Sequence, residues 1–313
     1  MTEAPEFKLI AKYFRPLAGE AGLNLLDDAA LLTPPVSQQL VLAADAMVAG
    51  VHFLPEDPPE TIGRKLLRVN LSDLAAMGAA PLGYLMTIAM TPAIDEAWLK
   101  AFVAGLAEDQ REFGIQLMGG DTVSTPGPLT LSLTILGHVP PGQALRRMGA
   151  RPGDDVWVSG RIGDGYLGLR AARREIADPD GVFARRYRLP EPRLALGLAL
   201  RGLARACMDV SDGLLQDLSH LCRAGGCAAV VKGVSVPTSP SQSPLAALVT
   251  GGDDYELLFA AAPPDRAAVE AAGAASRTPV TRIGHFTAGT PHVSLLDREG
   301  VDITPRKLGW SHV

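Results

Sequence analysis

Leu129-Thr130-Leu131-Ser132-Leu133-Thr134-Ile135-Leu136-Gly137-His138-Val139, closed by Pro140-Pro141-Gly142, decides how this chain is read. Leu129, Leu131, Leu133 and Ile135 alternate with Thr130, Ser132 and Thr134, the two-residue period of a half-buried strand. The Pro-Pro-Gly that follows predicts a boundary, with residues 1–140 forming one domain and residues 141–313 a second. Upstream, Pro81–Met90 reads as a strand and Leu40–Ala44 as a short buried strand ending in Asp45. Thr61–Ala79 reads as a helix with Leu66, Leu67, Leu71, Leu74 and Met77 on its apolar side. Asp95–Phe113 is an amphipathic helix that Gly114 is placed to end. Downstream, Asp155–Ser159, Met208–Val210 and Tyr255–Ala261 are strand-like, and glycine-rich Gly160–Gly168 leads into a helix. A further helix carries Leu214, Leu218, Leu221 and Cys222 on one face, and Val234–Pro244 is an exposed Ser/Pro-rich loop. The pattern is α/β or α+β, in two domains.

Composition narrows the function classes. The 313 residues include 34 acidic and 29 basic ones, a formal charge of −5. A nucleic-acid-binding surface usually shows a basic excess, so none is expected. Apolar residues at 47% and charged ones at 20% suffice for a core, and 33 glycines with 25 prolines fit a loop-rich enzyme. Cys207, Cys222 and Cys227 lack Cys-x-x-Cys spacing and read as reduced core residues. Met1–Ile10 carries Glu3, Glu6 and Lys8 with no apolar stretch, and no run approaches a membrane span. A cytoplasmic protein is the expectation.

Short carboxylates recur beside glycines or at element ends: Asp27-Asp28, Asp45, Asp73, Gly119-Gly120-Asp121, Asp209 with Asp212, and Gly251-Gly252-Asp253-Asp254. Taken singly, each also reads as a turn former or helix cap, Asp212 being a fair N-cap. Together they place hard oxygen donors at loop positions, where they suit Mg²⁺ bridging to phosphates. Asn70 and Asp73 share a face of an otherwise apolar helix and need either a partner or solvent.

Other features carry less. Gly163-Asp164-Gly165-Tyr166-Leu167-Gly168 matches a dinucleotide fingerprint letter for letter, but no βαβ unit closed by an acidic residue surrounds it. A plain helix start is the simpler reading. No Walker A sequence is present. Arg146-Arg147 could neutralise phosphate or sit in water, and His52 alone favours a structural or surface role. Trp310 could be a core plug or a stacking platform.

In combination these segments resemble the thiamine-monophosphate kinase family. The resemblance rests on Asp27-Asp28-Ala29-Ala30, on Asp45 through Gly50-Val51-His52-Phe53, on Asn70-Leu71-Ser72-Asp73 through Gly78-Ala79, and on Gly119-Gly120-Asp121-Thr122. It continues with Met148-Gly149-Ala150-Arg151-Pro152-Gly153-Asp154, Asp209-Val210-Ser211-Asp212-Gly213-Leu214 and Gly251-Gly252-Asp253-Asp254-Tyr255-Glu256-Leu257-Leu258. The matches run in order from Phe7 to Trp310. Asp-x-Ser-Asp-Gly and Gly-Gly-Asp alone would indicate only the wider superfamily of aminoimidazole-ribotide synthetase and selenophosphate synthetase.

The resemblance implies ATP-dependent phosphorylation of thiamine monophosphate to thiamine diphosphate, and a homodimer formed through the N-terminal sheet. It implies that Asp28, Asp45, Asp73, Asp121, Asp209 and Asp212 hold several Mg²⁺ ions. Gly120, Asp121, Arg147 and Ser211 would contact ATP; His52, Asp253 and Trp310 would contact the acceptor. None of the aspartates is expected to act as an acid or base. Two positions depart from the family. Ala43 and Ala44 replace the usual hydroxyl pair before Asp45, so a metal there must use a carbonyl or water. Asp253 replaces the common Glu and is one methylene shorter. The alternatives are another ATP-using member of the superfamily, or a non-catalytic protein that binds a nucleotide or thiamine phosphate.

Overall fold

The structure is a computed structural model that describes residues 5–311; the expectation for Met1–Ala4 lies outside the described residues. The chain divides into two compact units, Met1–Leu74 with Ala80–Pro141 and Ala75–Ala79 with Gly142–Val313.

The first unit contains α1 (Pro5–Leu9), β1 (Gln39–Val48), α2 (Pro59–Ala76), β2 (Ala80–Met90), α3 (Glu96–Phe113), β3 (Leu117–Ser124) and β4 (Thr130–Val139). Its sheet has the order β1-β4-β2-β3, antiparallel except for β2 with β3. In β4 the alternation is realised in full: Leu131, Leu133 and Ile135 are buried while Thr130, Ser132 and Thr134 lie on the other face. Tyr84, Met86 and Ile88 continue the buried face on β2. The helices cover it, with Leu66, Leu67, Leu71 and Leu74 of α2 and Phe102 and Leu106 of α3 all fully buried. Asp95 caps α3 by accepting the Trp98 N–H at 2.7 Å, and Gly114 ends it at φ 63°, where a side chain would be strained.

The two helices approach so closely at Gly105 that a Cβ there would lie 2.0 Å from the Glu60 carbonyl oxygen. Beyond that crossing the Arg68 fork grips the buried Asp109 carboxylate, Nε to Oδ2 at 2.7 Å and Nη2 to Oδ1 at 2.9 Å. Arg64 Nε adds a third bond at 2.8 Å.

The second unit contains β5 (Asp155–Ser159), α4 (Asp164–Ala172), α5 (Val182–Arg188), α6 (Leu194–Ala199), β6 (Ala204–Asp209), α7 (Leu214–Gly225), β7 (Ala228–Lys232), α8 (Leu245–Thr250), β8 (Leu257–Ala261), α9 (Arg266–Ala275), β9 (Val280–Thr287) and β10 (Val293–Leu296). The sheet order is β10-β7-β9-β5-β8-β6. Both faces are covered. Val156, Val158, Leu258 and Ala260 pack with Leu214, Leu218 and Leu221 of α7. Trp157, Leu257 and Phe259 pack on the opposite side with Leu196, Val269 and the α2-end residues Ala75 and Ala76. β5 and β8 are buried along their whole length.

Four expectations change. Leu40–Ala44 is part of a longer edge strand that runs through Asp45 to Val48, and Leu42 on its outer side is 61% exposed. An apolar pentapeptide cannot by itself tell an inner strand from an edge. Gly119-Gly120-Asp121 lies inside β3 and not in a loop, because a strand with glycines carries no hydrophobic period. Asp45 likewise sits within a strand, whereas Asp73 lies in α2, the helix expected for it. Asp212 is not the side-chain cap of α7; that task falls to Asp217.

The Gly163–Gly168 match is a helix start without a free anion seat. The carboxylate of Asp254 accepts the N–H groups of Gly163 and Gly165 at 2.9–3.0 Å. β5 is antiparallel to both its neighbours, which excludes the parallel unit a dinucleotide requires.

Candidate active site

In the first unit the open face of the sheet lines a cavity. Strand pairing sets Ser132, Thr87 and Asp121 side by side across β4, β2 and β3. Their side chains line a cavity of about 660 Å³ together with Asp28, Gly120 and Thr134. At Gly120 the backbones touch, and a Cβ there would lie 1.8 Å from the Met86 carbonyl oxygen. Asp28 and Asp121 are exposed carboxylates at this cavity. Asp45 and Asp73 belong to a second group. Asp45 is one residue out of phase with the Ser132–Asp121 row and so lies on the helix-covered side. Its N–H donates to Asn70 Oδ1 at 3.2 Å, and Asp73 follows three residues later on the same helix. Burial raises the Asp45 carboxyl above its usual range even though the residue keeps solvent access at the edge. His52 closes the turn after β1. Its Nδ1 accepts the Val48 N–H at 3.0 Å, which leaves the neutral ring's proton on Nε2. Its carbonyl is held by the buried Lys65 ammonium.

In the second unit the C-terminal ends of β5 and β6 and the N-terminal ends of β8 and β9 share one sheet edge. The connecting loops therefore meet there. Asp209 ends β6, and the turn Val210–Gly213 carries Ser211 and Asp212. The loop before β8 pins this turn: Asp253 N–H donates to Ser211 O and Tyr255 N–H to Val210 O, each at 2.8 Å. Gly252, at φ 72°, passes so close that a Cβ would lie 2.5 Å from Ser211 O. Asp253 itself has φ 63°, and its Oδ1 accepts the Tyr255 hydroxyl at 3.2 Å. Beneath the loop Glu256 is buried against the Arg193 fork at 2.6 and 2.7 Å.

The turn leads into α7, where Asp217 accepts the N–H groups of Asp212 and Gly213, both at 3.1 Å. Asp217 is 1% exposed, and burial, then the charges of Asp209 and Asp212, push its carboxyl up to about 8. From the C-terminal segment Trp310 donates its backbone N–H to Asp212 O at 2.9 Å and holds its indole 49% exposed. The Lys307 ammonium sits 5.5 Å from the ring centroid. Arg147 is exposed and close enough to the α7 residue His220 to help lower its pKa; burial and Arg223 precede it as causes.

Among the described residues no three His, Cys, Asp or Glu side chains converge on a single metal position. The donors nevertheless fit Mg²⁺, a hard cation that keeps several waters and takes one or two carboxylates plus phosphate oxygens. Asp209 at the end of β6 and Asp212 in the turn that follows supply two such carboxylates within three residues of each other.

Sequence profiles for the N-terminal and C-terminal domains of AIR synthase related proteins match residues 26–139 and 151–296. The chain is 47% identical to the thiamine-monophosphate kinase of Caulobacter vibrioides, covering 98% of this chain and 90% of that one. It belongs to the thiamine-monophosphate kinase family. A crystal structure of the Stenotrophomonas maltophilia family member superposes with a TM-score of 0.83 at 41% identity, over 92% of this chain and 96% of that one. AaThiL complexed with AMPPCP and TMP superposes with a TM-score of 0.79 at 26% identity, over 100% and 99%.

Within this family member the structure brings Asp28, Gly120 and Asp121 to one cavity and Asp209, Ser211, Asp212, Asp253 and Trp310 to one sheet edge. The sequence reading did not anticipate the separation of Asp45 and Asp73 from Asp121. It also missed Asn70 as the anchor of Asp45, and Asp217 and Gln216 on the first turns of α7. Asp217 had a usable signal, an acidic residue in the first turn of a helix that follows a glycine.

Proposed function

We propose that this chain transfers the γ-phosphate of ATP to thiamine monophosphate, giving thiamine diphosphate and ADP. The observation that carries the reading is the near-full-length identity of 47% to a thiamine-monophosphate kinase, joined to a pinned Asp209–Asp212 turn with an indole beside it. A phosphate oxygen of the acceptor forms the new bond to the γ-phosphorus while the bond to the β–γ bridging oxygen breaks. That oxygen is ionised near neutral pH, so no side chain has to remove a proton. Mg²⁺ bound by Asp28, Asp45, Asp73, Asp121, Asp209 and Asp212 would offset the repulsion between the two polyanions.

The remaining roles belong to the chain itself. Gly120 contacts ATP through its backbone, Ser211 and Arg147 supply donors to ATP, and His52 offers Nε2–H to an anion. Trp310 presents the face on which a thiazolium, a permanent cation, stacks as the Lys307 ammonium does in the free protein. Asp253, fixed by Tyr255, faces the acceptor from the neighbouring loop.

Residues 1–140 then form the ATP- and Mg²⁺-binding domain and residues 141–313 the C-terminal domain. The open sheet face leaves Leu40, Leu42, Leu85 and Val123 at 39–61% exposure, and we assign it to a second copy of the chain in a homodimer. Cytoplasmic residence fits the three buried, free cysteines. The test is incubation with ATP, Mg²⁺ and thiamine monophosphate. Equimolar thiamine diphosphate and ADP support the reading; ATP hydrolysis without thiamine diphosphate, or no turnover, ends it.

A further inference from the structure

The side chain of Gln216 is in contact with two of the residues just assigned. It stands on the first turn of α7, one turn beyond Asp212. Its single amide nitrogen bears two hydrogens. Nε2 lies 3.2 Å from Asp212 Oδ2 and 2.5 Å from the Trp310 carbonyl oxygen. A third bond closes the loop, the Trp310 N–H on the Asp212 carbonyl at 2.9 Å. The approach of the C-terminal segment depends on Gly309, where a Cβ would meet Gln216 Cβ at 2.6 Å and Asp212 O at 2.7 Å. The carboxylate, the indole-bearing backbone and the first turn of α7 thus form one hydrogen-bonded ring.

We propose that Gln216 is a positioning residue that couples cation binding at Asp212 to acceptor binding at Trp310. This rests on the reading of Asp212 as a metal ligand and Trp310 as the acceptor platform. The chemistry is reciprocal. A cation on Asp212 fixes the carboxylate rotamer, and Gln216 passes that constraint to the Trp310 backbone, so the ring is already placed when the acceptor arrives. An acceptor stacked on Trp310 holds Gln216 and, through it, the carboxylate. By linkage, each ligand then raises the affinity for the other by the same factor. The Gln216 amide is engaged by Asp212 and Trp310, so it influences where the acceptor sits without taking part in the transfer. ATP contacts, on Gly120, Arg147 and Ser211, lie outside this ring.

The test uses Gln216→Met, which keeps the length and helix preference of the side chain and removes both donors. Its KM for thiamine monophosphate rises about tenfold and its Mg²⁺ requirement rises with it, while KM for ATP and the melting temperature stay at wild-type values. Trp310→Ala raises the same KM, and the double variant is no worse than Trp310→Ala alone, because Gln216 reaches the acceptor only through Trp310.

A second readout needs no turnover. The Trp310 emission, taken as wild type minus Trp310→Phe, shifts on addition of Mg²⁺ alone, and the shift is lost in Gln216→Met. A protein that shows this shift but makes no thiamine diphosphate overturns the assigned reaction and leaves the coupling standing. Unchanged KM and Mg²⁺ dependence in Gln216→Met, additive losses in the double variant, or a Trp310 signal that ignores Mg²⁺ in the wild type each overturn the coupling.

Discussion

Asn70 Oδ1 accepts the backbone N–H of Asp45 at 3.2 Å, while its own amide donates to the Leu66 carbonyl at 2.9 Å. A fully buried side chain on α2 therefore sets the position of an acidic residue on the neighbouring edge strand. Replacing Asn70 with Leu keeps the volume and leaves the Asp45 N–H without its partner. The expected cost is about 1–3 kcal/mol of stability, measured by urea unfolding, with a higher Mg²⁺ requirement for turnover. A variant as stable as the wild type would show that the bond contributes nothing.

Asp109 is fully buried between two arginines of α2, and Arg68 has only 6% of its surface exposed. Asp109→Ala removes three charge-assisted bonds from the two guanidinium groups and is expected to cost about 3–5 kcal/mol, seen as a lower denaturant midpoint. Arg64 retains Glu108 and Glu112 and Arg68 retains Glu112, so a loss well below that range would mean those glutamates take over the pairing.

Asp217 has a folded-state pKa of about 8 against 3.8 for the ordinary carboxyl. Between those values the folded chain holds a proton that the unfolded chain has released. Its contribution to stability is full below 3.8 and is lost as pH rises through about 8. In metal-free buffer, Asp217→Asn keeps an oxygen for the two turn N–H groups and removes the titration. Its melting temperature should fall less than that of the wild type from weakly acidic to weakly alkaline pH. Parallel curves for the two proteins would assign the pH dependence elsewhere.

Asp121 and Asp212 each present carboxylate oxygen where phosphate is expected to bind. Asp121→Asn and Asp212→Asn should each raise the Mg²⁺ concentration for half-maximal rate by about tenfold or more, with rate partly recovered at high Mg²⁺. An unaltered Mg²⁺ titration for either variant removes that residue from the metal scaffold.

Most of the fold was legible because two signals are local. Leu131, Leu133 and Ile135 announce a strand by their period, and Asp95 with Gly114 announces both ends of α3. β3 was illegible because Gly120 is there for the backbone contact with Met86 and Gly119 lies against the Leu85 side chain, which leaves no side-chain pattern to read. At the site, the motif aspartates could be picked out one by one. Their grouping could not, since the phase of Asp45 against Asp121 depends on strand register across four strands. Gln216 looks like any solvated helix residue in sequence; the return of Trp310, far along the chain, adds a second partner to Asp212. Asp254 was equally hidden, because a carboxylate that fills a helix N-terminus from a distant loop has no spacing signature.

The placement of β8 between β5 and β6 has a consequence during synthesis. The Asp209–Asp212 turn is translated early, yet it is pinned only when Asp253 and Tyr255 arrive and closed only when Trp310 does. A chain still growing on the ribosome can complete its first-unit sheet, but β6, the end strand paired to β8, waits for residues 257–261. With Trp310 as the proposed acceptor platform, a premature stop just before Gly309 removes that platform and leaves the Asp212 carbonyl without the Trp310 N–H.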